Sequence, residues 1–183
     1  MWCFKPGNKE PLHLLGAKED AYKMKITNVH QRVYDQPGKV ISEILETLSS
    51  KEDRLWPHEI WPPMVLNNGL AMNSSGGHGP IGYYISKYDR GKSIEFTFTK
   101  PAEFVGMHKF EIIVNSNNTS VLRHTISMDI NLKGLVAWYF AIKWLHDALL
   151  EDCLDKVNNQ LSDDKAHSPH NFWVKRLRKM LSR

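Results

Sequence analysis

Cysteine is nearly absent from this chain of 183 residues, which contains only Cys3 and Cys153. The two residues lie far apart, and neither belongs to a CxxC pair or to another metal-ligand spacing, so no disulfide framework is predicted. Proteins without disulfides are typical of reducing compartments. We therefore expect a cytoplasmic protein.

Long apolar runs are also missing. The most apolar window, residues 132–150, is interrupted by Lys133, Lys143, His146 and Asp147. A membrane-spanning helix needs about 20 consecutive apolar residues, so the sequence predicts no such helix. The first twenty residues contain several charged side chains and lack the apolar core of a signal peptide, which agrees with a cytoplasmic location.

Acidic residues are absent from the C-terminal segment 166–183, which contains Lys175, Arg176, Arg178, Lys179 and Arg183. The net charge of +4 results from 24 basic and 20 acidic residues, and this segment accounts for the excess. Because the rest of the chain is nearly neutral and contains no DNA- or RNA-reading motif, nucleic-acid binding is not predicted. The glycine-rich stretch 76–80 lacks the pattern of a phosphate-binding loop, and no cofactor is predicted.

Apolar periodicity predicts an ordered series of strands and helices. Alternation of apolar and polar residues indicates strands at residues 22–34, 78–88, 93–99, 104–114 and 121–130. Residues 40–48 have the spacing of a short amphipathic helix, and after Gly134 a 3.6-residue period predicts a long helix over residues 132–161. Strands followed by a long final helix indicate an α+β domain whose antiparallel sheet has one buried face.

Several strings within this pattern carry a resemblance to a known superfamily. They are His78-Gly-Pro-Ile-Gly-Tyr-Tyr with Tyr88-Asp-Arg-Gly, then Val121-Leu-Arg-His-Thr, then Leu145-His-Asp-Ala-Leu-Leu-Glu-Asp. With the order of the elements, they resemble a bacterial branch of the START-like (SRPBCC) superfamily. This superfamily includes Bet v 1-type helix-grip proteins, polyketide cyclases and lipid-transfer domains.

The resemblance implies a helix-grip fold, in which a curved antiparallel sheet wraps around the long C-terminal helix and short helices follow the first strand. It covers residues 21–162. We interpret residues 1–20 as an irregular lead-in and residues 163–183 as a basic amphipathic tail. Fold alone does not define a ligand or a reaction.

The resemblance also implies a cavity between the sheet and the last helix, which would bind an apolar small molecule that is lipid-like or polycyclic. Inward-facing strand residues and the helix stripe would supply the wall. The residues expected to contact a ligand are Trp56, Trp61, Tyr84, Phe96, Phe98, His108, Phe110, His124, Ile126, Met128, Trp138, Ile142 and His146.

His108 and His124 are the candidate catalytic residues. Both lie on the apolar face of their strands, and the turn after Val114 would place His108 opposite the neighbourhood of Thr125, with His124 adjacent. Two imidazoles in an apolar cavity could act as general acid and base in a cyclase- or dehydratase-type enzyme. Alternatively, they hydrogen-bond buried partners in a binding protein without catalytic activity. A third interpretation is a protein-interaction module whose cavity is filled by side chains.

Other polar residues of this region receive simpler interpretations. His146 borders the buried stripe of the long helix, and three converging histidines would suggest zinc. No HExxH-like spacing is present, however, so no metal site is predicted. Asp147 and Asp152 are expected on the solvated helix face, and His78 is expected to be exposed near the cavity rim.

The tail from residue 171 to residue 183 combines apolar and basic side chains. Phe172, Trp173, Leu177, Met180 and Leu181 recur at helical spacing, with the cations elsewhere. Such a segment is typical of peripheral contact with an anionic membrane. The alternative is a terminal helix that docks on the domain by its aromatic face. The sequence does not define the oligomeric state.

Overall fold

The computed structural model describes residues 23–181, so the expected lead-in of residues 1–20 lies outside the described residues. In this described part of the chain, one antiparallel sheet contains seven strands: β1 (Met24–Tyr34), β2 (Val65–Leu66), β3 (Ser75–His78), β4 (Ile81–Asp89), β5 (Ser93–Lys100), β6 (Phe104–Val114) and β7 (Ser120–Ile130). Their order across the sheet is β1-β7-β6-β5-β4-β3-β2. The first and last strands of the sequence, β1 and β7, are therefore neighbours in the sheet, and one face of this sheet is buried.

Within residues 23–181, four α-helices accompany the sheet: α1 (Gly38–Leu45), α2 (Leu132–Ala137), α3 (Lys143–Leu161) and α4 (Phe172–Leu181). A π-helical turn, Trp138–Ile142, joins α2 to α3. The predicted helix-grip plan is confirmed, with a short helix after the first strand and a long helix held by the sheet. Among residues 23–181, no helix combines the length and apolarity needed to cross a membrane.

The buried face of the sheet follows from the alternation in the sequence. In β7, Leu122, His124, Ile126, Met128 and Ile130 are all buried, while the residues between them are partly or fully exposed. Alternate residues of a strand point to opposite faces, so the five buried side chains share the face that packs against the helices. The histidine in this apolar row is therefore a core residue.

The predicted start of the strand 78–88 is wrong, because the chain reverses direction at Gly79 and Pro80, between β3 and β4. Gly79 has a positive φ of 51°, which glycine adopts readily. Gly76 is required for a different reason, the close approach of β2 and β3. A Cβ at this position would lie 1.8 Å from the Val65 carbonyl oxygen. The glycine-rich stretch is thus a tight hairpin, and it brings His78 to the buried side.

The register of the β6–β7 hairpin differs by one residue from the prediction. His108 pairs with Ile126, and His124 pairs with Phe110. The register differs because the turn between the two strands includes Thr119. The backbone N–H of Asn115 donates to the Thr119 carbonyl at 2.9 Å and so closes this turn. His108 and His124 are diagonal neighbours on one face, so the expected pairing of the two imidazoles is nevertheless found.

The predicted long helix is present over residues 132–161, and one π-helical turn interrupts its α-helical course. The π-helical turn inserts an extra residue into the helical period, and such turns are frequent at functional sites. Trp138, the first residue of this turn, is buried, whereas Tyr139 and Phe140 are exposed. Beyond the turn, α3 buries Leu149, Cys153 and Val157 of the predicted stripe. The turn and the first part of α3 together border the cavity, and the rest of α3 fills the core.

Candidate functional site

A cavity of about 140 Å³ lies between the sheet and the helical segment 138–150. Its wall is almost entirely apolar, and the polar groups in it are imidazoles. Nine of the predicted contact residues line it: Trp56, Trp61, Phe98, His108, His124, Ile126, Trp138, Ile142 and His146.

Four predicted contact residues lie outside the cavity wall. Phe96, Phe110 and Met128 are buried but pack behind the lining side chains. Tyr84 alternates with Tyr83, and it is Tyr83 that points into the core, with 1% of its surface exposed. Both tyrosines are apolar enough for a strand interior, so the sequence alone did not distinguish the two faces of β4.

The cavity wall also includes residues that the sequence analysis missed. The turn between β3 and β4 contributes His78, Gly79 and Pro80, and Ile81 and Phe104 complete the sheet side. The signal for this turn was the Gly79-Pro80 pair, which marks tight turns. A hairpin at that point would have placed His78 beside the cavity.

His108 is enclosed by aromatic rings. Phe96 stacks on it with ring centroids 4.7 Å apart, and Tyr83 meets it edge-on at the same separation. Its Nδ1 lies 3.2 Å from His124 Nε2, so one of the two nitrogens carries the shared proton. Burial lowers the pKa of both imidazoles well below the ordinary value, because the charged form cannot be solvated there. Both histidines are therefore neutral at physiological pH.

Several ring nitrogens around the cavity are buried and have no hydrogen-bond partner among the described residues. They are His108 Nε2, His124 Nδ1 and both nitrogens of His146. Buried polar atoms are usually satisfied, so unpartnered ones call for an explanation. Since these three residues line the cavity, a bound molecule is a natural source of the missing hydrogen bonds.

His78 is partly buried, in contrast to the exposed position that we expected. Its Nδ1 lies 3.0 Å from the Tyr83 hydroxyl, and its ring is 4.8 Å from Trp56. Burial lowers the pKa of His78 to about 3. Burial lowers the pKa of His146 as well, so four imidazoles with lowered pKa values line the wall.

A row of polar pairs joins β1 to α3 beside the cavity. Alternate β1 residues Asn28, His30 and Arg32 face carboxylates that recur every four residues along α3: Asp147, Glu151 and Asp155. The predicted solvated position of Asp147 is therefore wrong. The signal for this contact was available, because a strand with polar alternate residues and a helix with i, i+4, i+8 carboxylates present complementary faces.

The charges of this row reinforce one another. Burial opposes protonation of His30, but its hydrogen bonds to Asp147 and Glu151 prevail and raise its pKa. Burial likewise opposes ionisation of Asp147, yet its contacts with His146, His30 and Lys143 lower the pKa of this carboxyl. At neutral pH Asp147 is therefore an anion. Ligand atoms of His30, His146 and Asp147 lie within 4.8 Å of one another, close enough to hold a metal ion.

Asp152 is buried rather than solvated, which corrects the prediction for this residue. Its Oδ2 accepts a hydrogen bond from Trp61 Nε1 at 2.6 Å and lies 2.8 Å from His170 Nε2. Arg178 of α4 packs over the Trp61 ring, with its guanidinium carbon 4.5 Å from the ring centroid. These contacts fix the indole that forms one wall of the cavity.

The tail does form a helix that docks on the domain, but not by its aromatic face. Val174 and Leu177 are buried, whereas Phe172 is 78% exposed and Trp173 39% exposed. Together with Tyr139, Phe140 and Trp144, these two aromatic residues form a surface groove that we call the aromatic patch. The patch lies on the outer side of the segment whose Trp138 and Ile142 line the cavity.

Comparisons with known proteins give a fold and no closer relative. No protein-family profile and no curated protein matches the sequence. Among solved structures, norcoclaurine synthase from Thalictrum flavum in complex with dopamine and hydroxybenzaldehyde is similar with a TM-score of 0.60 and 9% identity, over 86% of this chain and 100% of that chain. A protein from Thermobifida fusca has a TM-score of 0.60 and 10% identity, over 79% of this chain and 99% of that one.

CalU16 from Micromonospora echinospora is also similar, with a TM-score of 0.51 and 9% identity over 87% of this chain and 92% of that one. At such identities the likeness concerns the backbone and not the chemistry. It agrees with the sheet order and with the helix held against the sheet. The chain therefore has the START-like, Bet v 1-type helix-grip fold.

Proposed function

We propose that the protein binds a small, largely apolar molecule of about the size of one aromatic ring, with one hydrogen-bonding group, in the cavity between sheet and helix. The observation that carries this proposal is an apolar cavity lined by imidazoles, three of which have buried ring nitrogens without a hydrogen-bond partner among the described residues. Ligand sites typically combine an apolar wall with a few polar groups that orient the ligand. A neutral imidazole can donate or accept, so it suits a hydroxyl or a carbonyl group.

The volume favours a single ring over the lipid-like or polycyclic ligand that the resemblance implied. A cavity of about 140 Å³ is close to the engineered cavity of ~150 Å³ that accepts benzene. Thalictrum flavum norcoclaurine synthase, which has the same fold, was solved with dopamine and hydroxybenzaldehyde, both of which contain a single ring. A polycyclic molecule would require the wall to move.

The electrostatics favour binding over acid–base catalysis. An efficient general base has a pKa near the working pH. Burial instead lowers the pKa values of His108 and His124 far below that range, so neither imidazole takes up a proton readily. We therefore regard the pair as ligand-orienting groups, and the cavity itself argues against an interaction module with a filled interior.

A thermal-shift series with matched ligands tests this proposal. We expect phenol at ten times its Kd to stabilise the protein by about 1.4 kcal/mol, a rise in Tm of roughly 3–6 °C. Toluene should bind more weakly, and 2-naphthol and palmitate should cause no shift. In His124→Leu the preference for phenol over toluene should fall about threefold to tenfold, as expected for one lost hydrogen bond.

The exposed His58 provides a control, since His58→Gln should keep the wild-type preference. Equal shifts with phenol and toluene in the wild type would contradict an orienting role of the imidazoles. If no single-ring compound shifted the Tm, the binding function itself would be wrong.

We also propose that the aromatic patch and α4 contact anionic membranes. The helix contains basic residues and no acid, and Trp and Tyr side chains are suited to the membrane interface. Vesicle co-sedimentation should show binding to phosphatidylglycerol vesicles that is at least tenfold weaker in Lys175→Glu/Arg176→Glu, because each basic residue contributes about 1 kcal/mol. Lys51→Glu, at an exposed position elsewhere, is the control. Equal binding to neutral phosphatidylcholine vesicles would contradict the proposed attraction between the basic residues of α4 and anionic lipids.

A further inference from the structure

The polar row between β1 and α3 contains a group of potential metal ligands at the cavity wall. His30 Nε2 lies 3.0 Å from Asp147 Oδ1, and His146 Nδ1 lies 3.7 Å from the same oxygen. The ligand atoms of these three residues all lie within 4.8 Å of one another. In a tetrahedral zinc site with metal–ligand bonds of about 2.0–2.1 Å, ligand atoms are separated by roughly 3.3 Å. Small side-chain movements would therefore suffice to surround a metal ion.

Neighbouring residues already hold two of these ligands from behind. His30 Nδ1 lies 2.8 Å from Glu151 Oε1, while the second oxygen of Glu151 accepts from Arg32 at 3.1 Å. Lys143 donates to Asp147 Oδ2, and Oδ1, which also accepts from Asn28 Nδ2 at 3.0 Å, lies on the side of the two histidines. Metal-bound histidines usually pass their other ring N–H to a carboxylate, and that arrangement is present at His30.

His146 distinguishes a metal site from an ion-pair network. A network of ion pairs accounts for His30, Asp147 and Glu151, since each of them has hydrogen-bonding partners. It satisfies His146 only weakly, because Nδ1 lies 3.7 Å from Asp147 Oδ1, beyond hydrogen-bond distance, and both ring nitrogens are buried without a hydrogen-bond partner among residues 23–181. One nitrogen of a neutral imidazole is a donor and the other an acceptor, so a metal at Nδ1 would use the lone pair that is otherwise unsatisfied.

We propose that His30 Nε2, His146 Nδ1 and Asp147 Oδ1 form a binding site for a divalent transition metal ion such as Zn²⁺. Two imidazoles and one carboxylate are a ligand set for such ions that leaves coordination positions open. Since His146 also lines the cavity, an open position would be accessible to a molecule bound there. Binding replaces the His30–Asp147 hydrogen bond and releases a proton from His30.

The proposal differs from the sequence prediction, which assigned no metal. One ligand comes from β1 and two come from adjacent positions of α3, so no motif spacing reveals them. The site shares His146 with the apolar ligand proposed above, but His30 and Asp147 do not line the cavity, so metal binding can succeed or fail separately from ligand binding.

Cobalt titration of the full chain, stripped with EDTA, tests the site through the visible absorption of protein-bound Co²⁺. We expect one Co²⁺ per chain, displaced by Zn²⁺, and a rise in Tm with Zn²⁺. His146→Leu should lose affinity at least tenfold, and it should fold because the nitrogens that it removes have no hydrogen-bond partner. Glu151→Gln should lower the affinity about tenfold or more through its contact with His30.

His78→Gln is the matched control, since this imidazole lines the same cavity but lies outside the ligand set. It should bind Co²⁺ as the wild type does. Absence of Co²⁺ and Zn²⁺ binding by the wild type at micromolar concentration would overturn the proposal. So would wild-type affinity in His146→Leu, which would assign the metal to other side chains.

Discussion

Acidification from pH 7.5 to pH 5.5 is expected to destabilise the fold by about 4 kcal/mol through three buried histidines, His78, His108 and His124. Burial lowers the pKa of each in the folded state. At pH 7.5 these residues are neutral whether folded or unfolded, so they contribute nothing there. Below the ordinary pKa of about 6.5 the unfolded chain takes up protons that the folded chain does not, which favours unfolding by up to about 1.4 kcal/mol per pH unit and residue.

His30 acts in the opposite direction. Its pKa is raised in the folded state despite burial, because Asp147 and Glu151 accept its hydrogen bonds. Its contribution to stability is complete below the ordinary pKa and is lost as the pH rises through the raised value. It therefore offsets part of the loss caused by His78, His108 and His124. His146 adds to that loss, because burial lowers its pKa as well, although Asp147 opposes the shift. The pKa of Asp147 is lowered from an ordinary value that already lies below pH 5.5. Its titration therefore does not change the stability between pH 7.5 and pH 5.5.

Urea unfolding at the two pH values, in EDTA, measures the effect. His108→Gln should reduce the loss between pH 7.5 and pH 5.5 by about 1.4 kcal/mol, the share of one group. His58→Gln changes an exposed histidine and should retain the wild-type difference. An unchanged difference in His108→Gln would mean that His108 is protonated in the folded state, contrary to its enclosure by Phe96 and Tyr83.

The fold could be predicted because its signals are local. Alternation over β5, β6 and β7 repeats so regularly that the buried face is defined residue by residue, as at Phe96 and Ile126. The period change after Gly134 marks the helix equally clearly. The Gly79 turn, where one strand boundary was misplaced, and the π-helical turn inside the long helix are points where one residue changes the backbone direction or the helical phase. Periodicity averages over several residues and does not detect such points.

The site was less predictable because its polar contacts are long-range. The neighbourhood of His108 and His124 follows from a short hairpin, and it was found apart from a one-residue shift. By contrast, His30 meets Asp147 and Glu151 across more than a hundred residues. Complementary spacing on β1 and α3 indicates such a contact only once the two elements are known to face each other. That knowledge comes from the three-dimensional fold.

Replacement of Trp138 by alanine is expected to have the largest effect among single substitutions in the cavity wall. Its indole is 2% exposed and packs with Phe104, Ile126 and Met128 in the smaller core cluster. Large-to-small changes of buried Trp cost about 3–5 kcal/mol, because the apolar burial is lost and a void remains. For a chain of this size we expect a decrease in Tm of roughly 10 °C.

Trp138→Ala should also change the preferred ligand size, because the vacated volume is continuous with the present cavity. We expect 2-naphthol, which should not bind the wild type, to stabilise the variant, and free indole to restore part of the lost Tm. Trp144→Ala removes an indole that is 41% exposed on the outer side of the same helical segment. It should change the free energy of unfolding by no more than about 1 kcal/mol and leave the preferred ligand size unchanged. If indole and 2-naphthol failed to stabilise Trp138→Ala, the surrounding helix would have collapsed into the space. The volume of the Trp138 side chain would then not be the factor that limits the ligand to one ring.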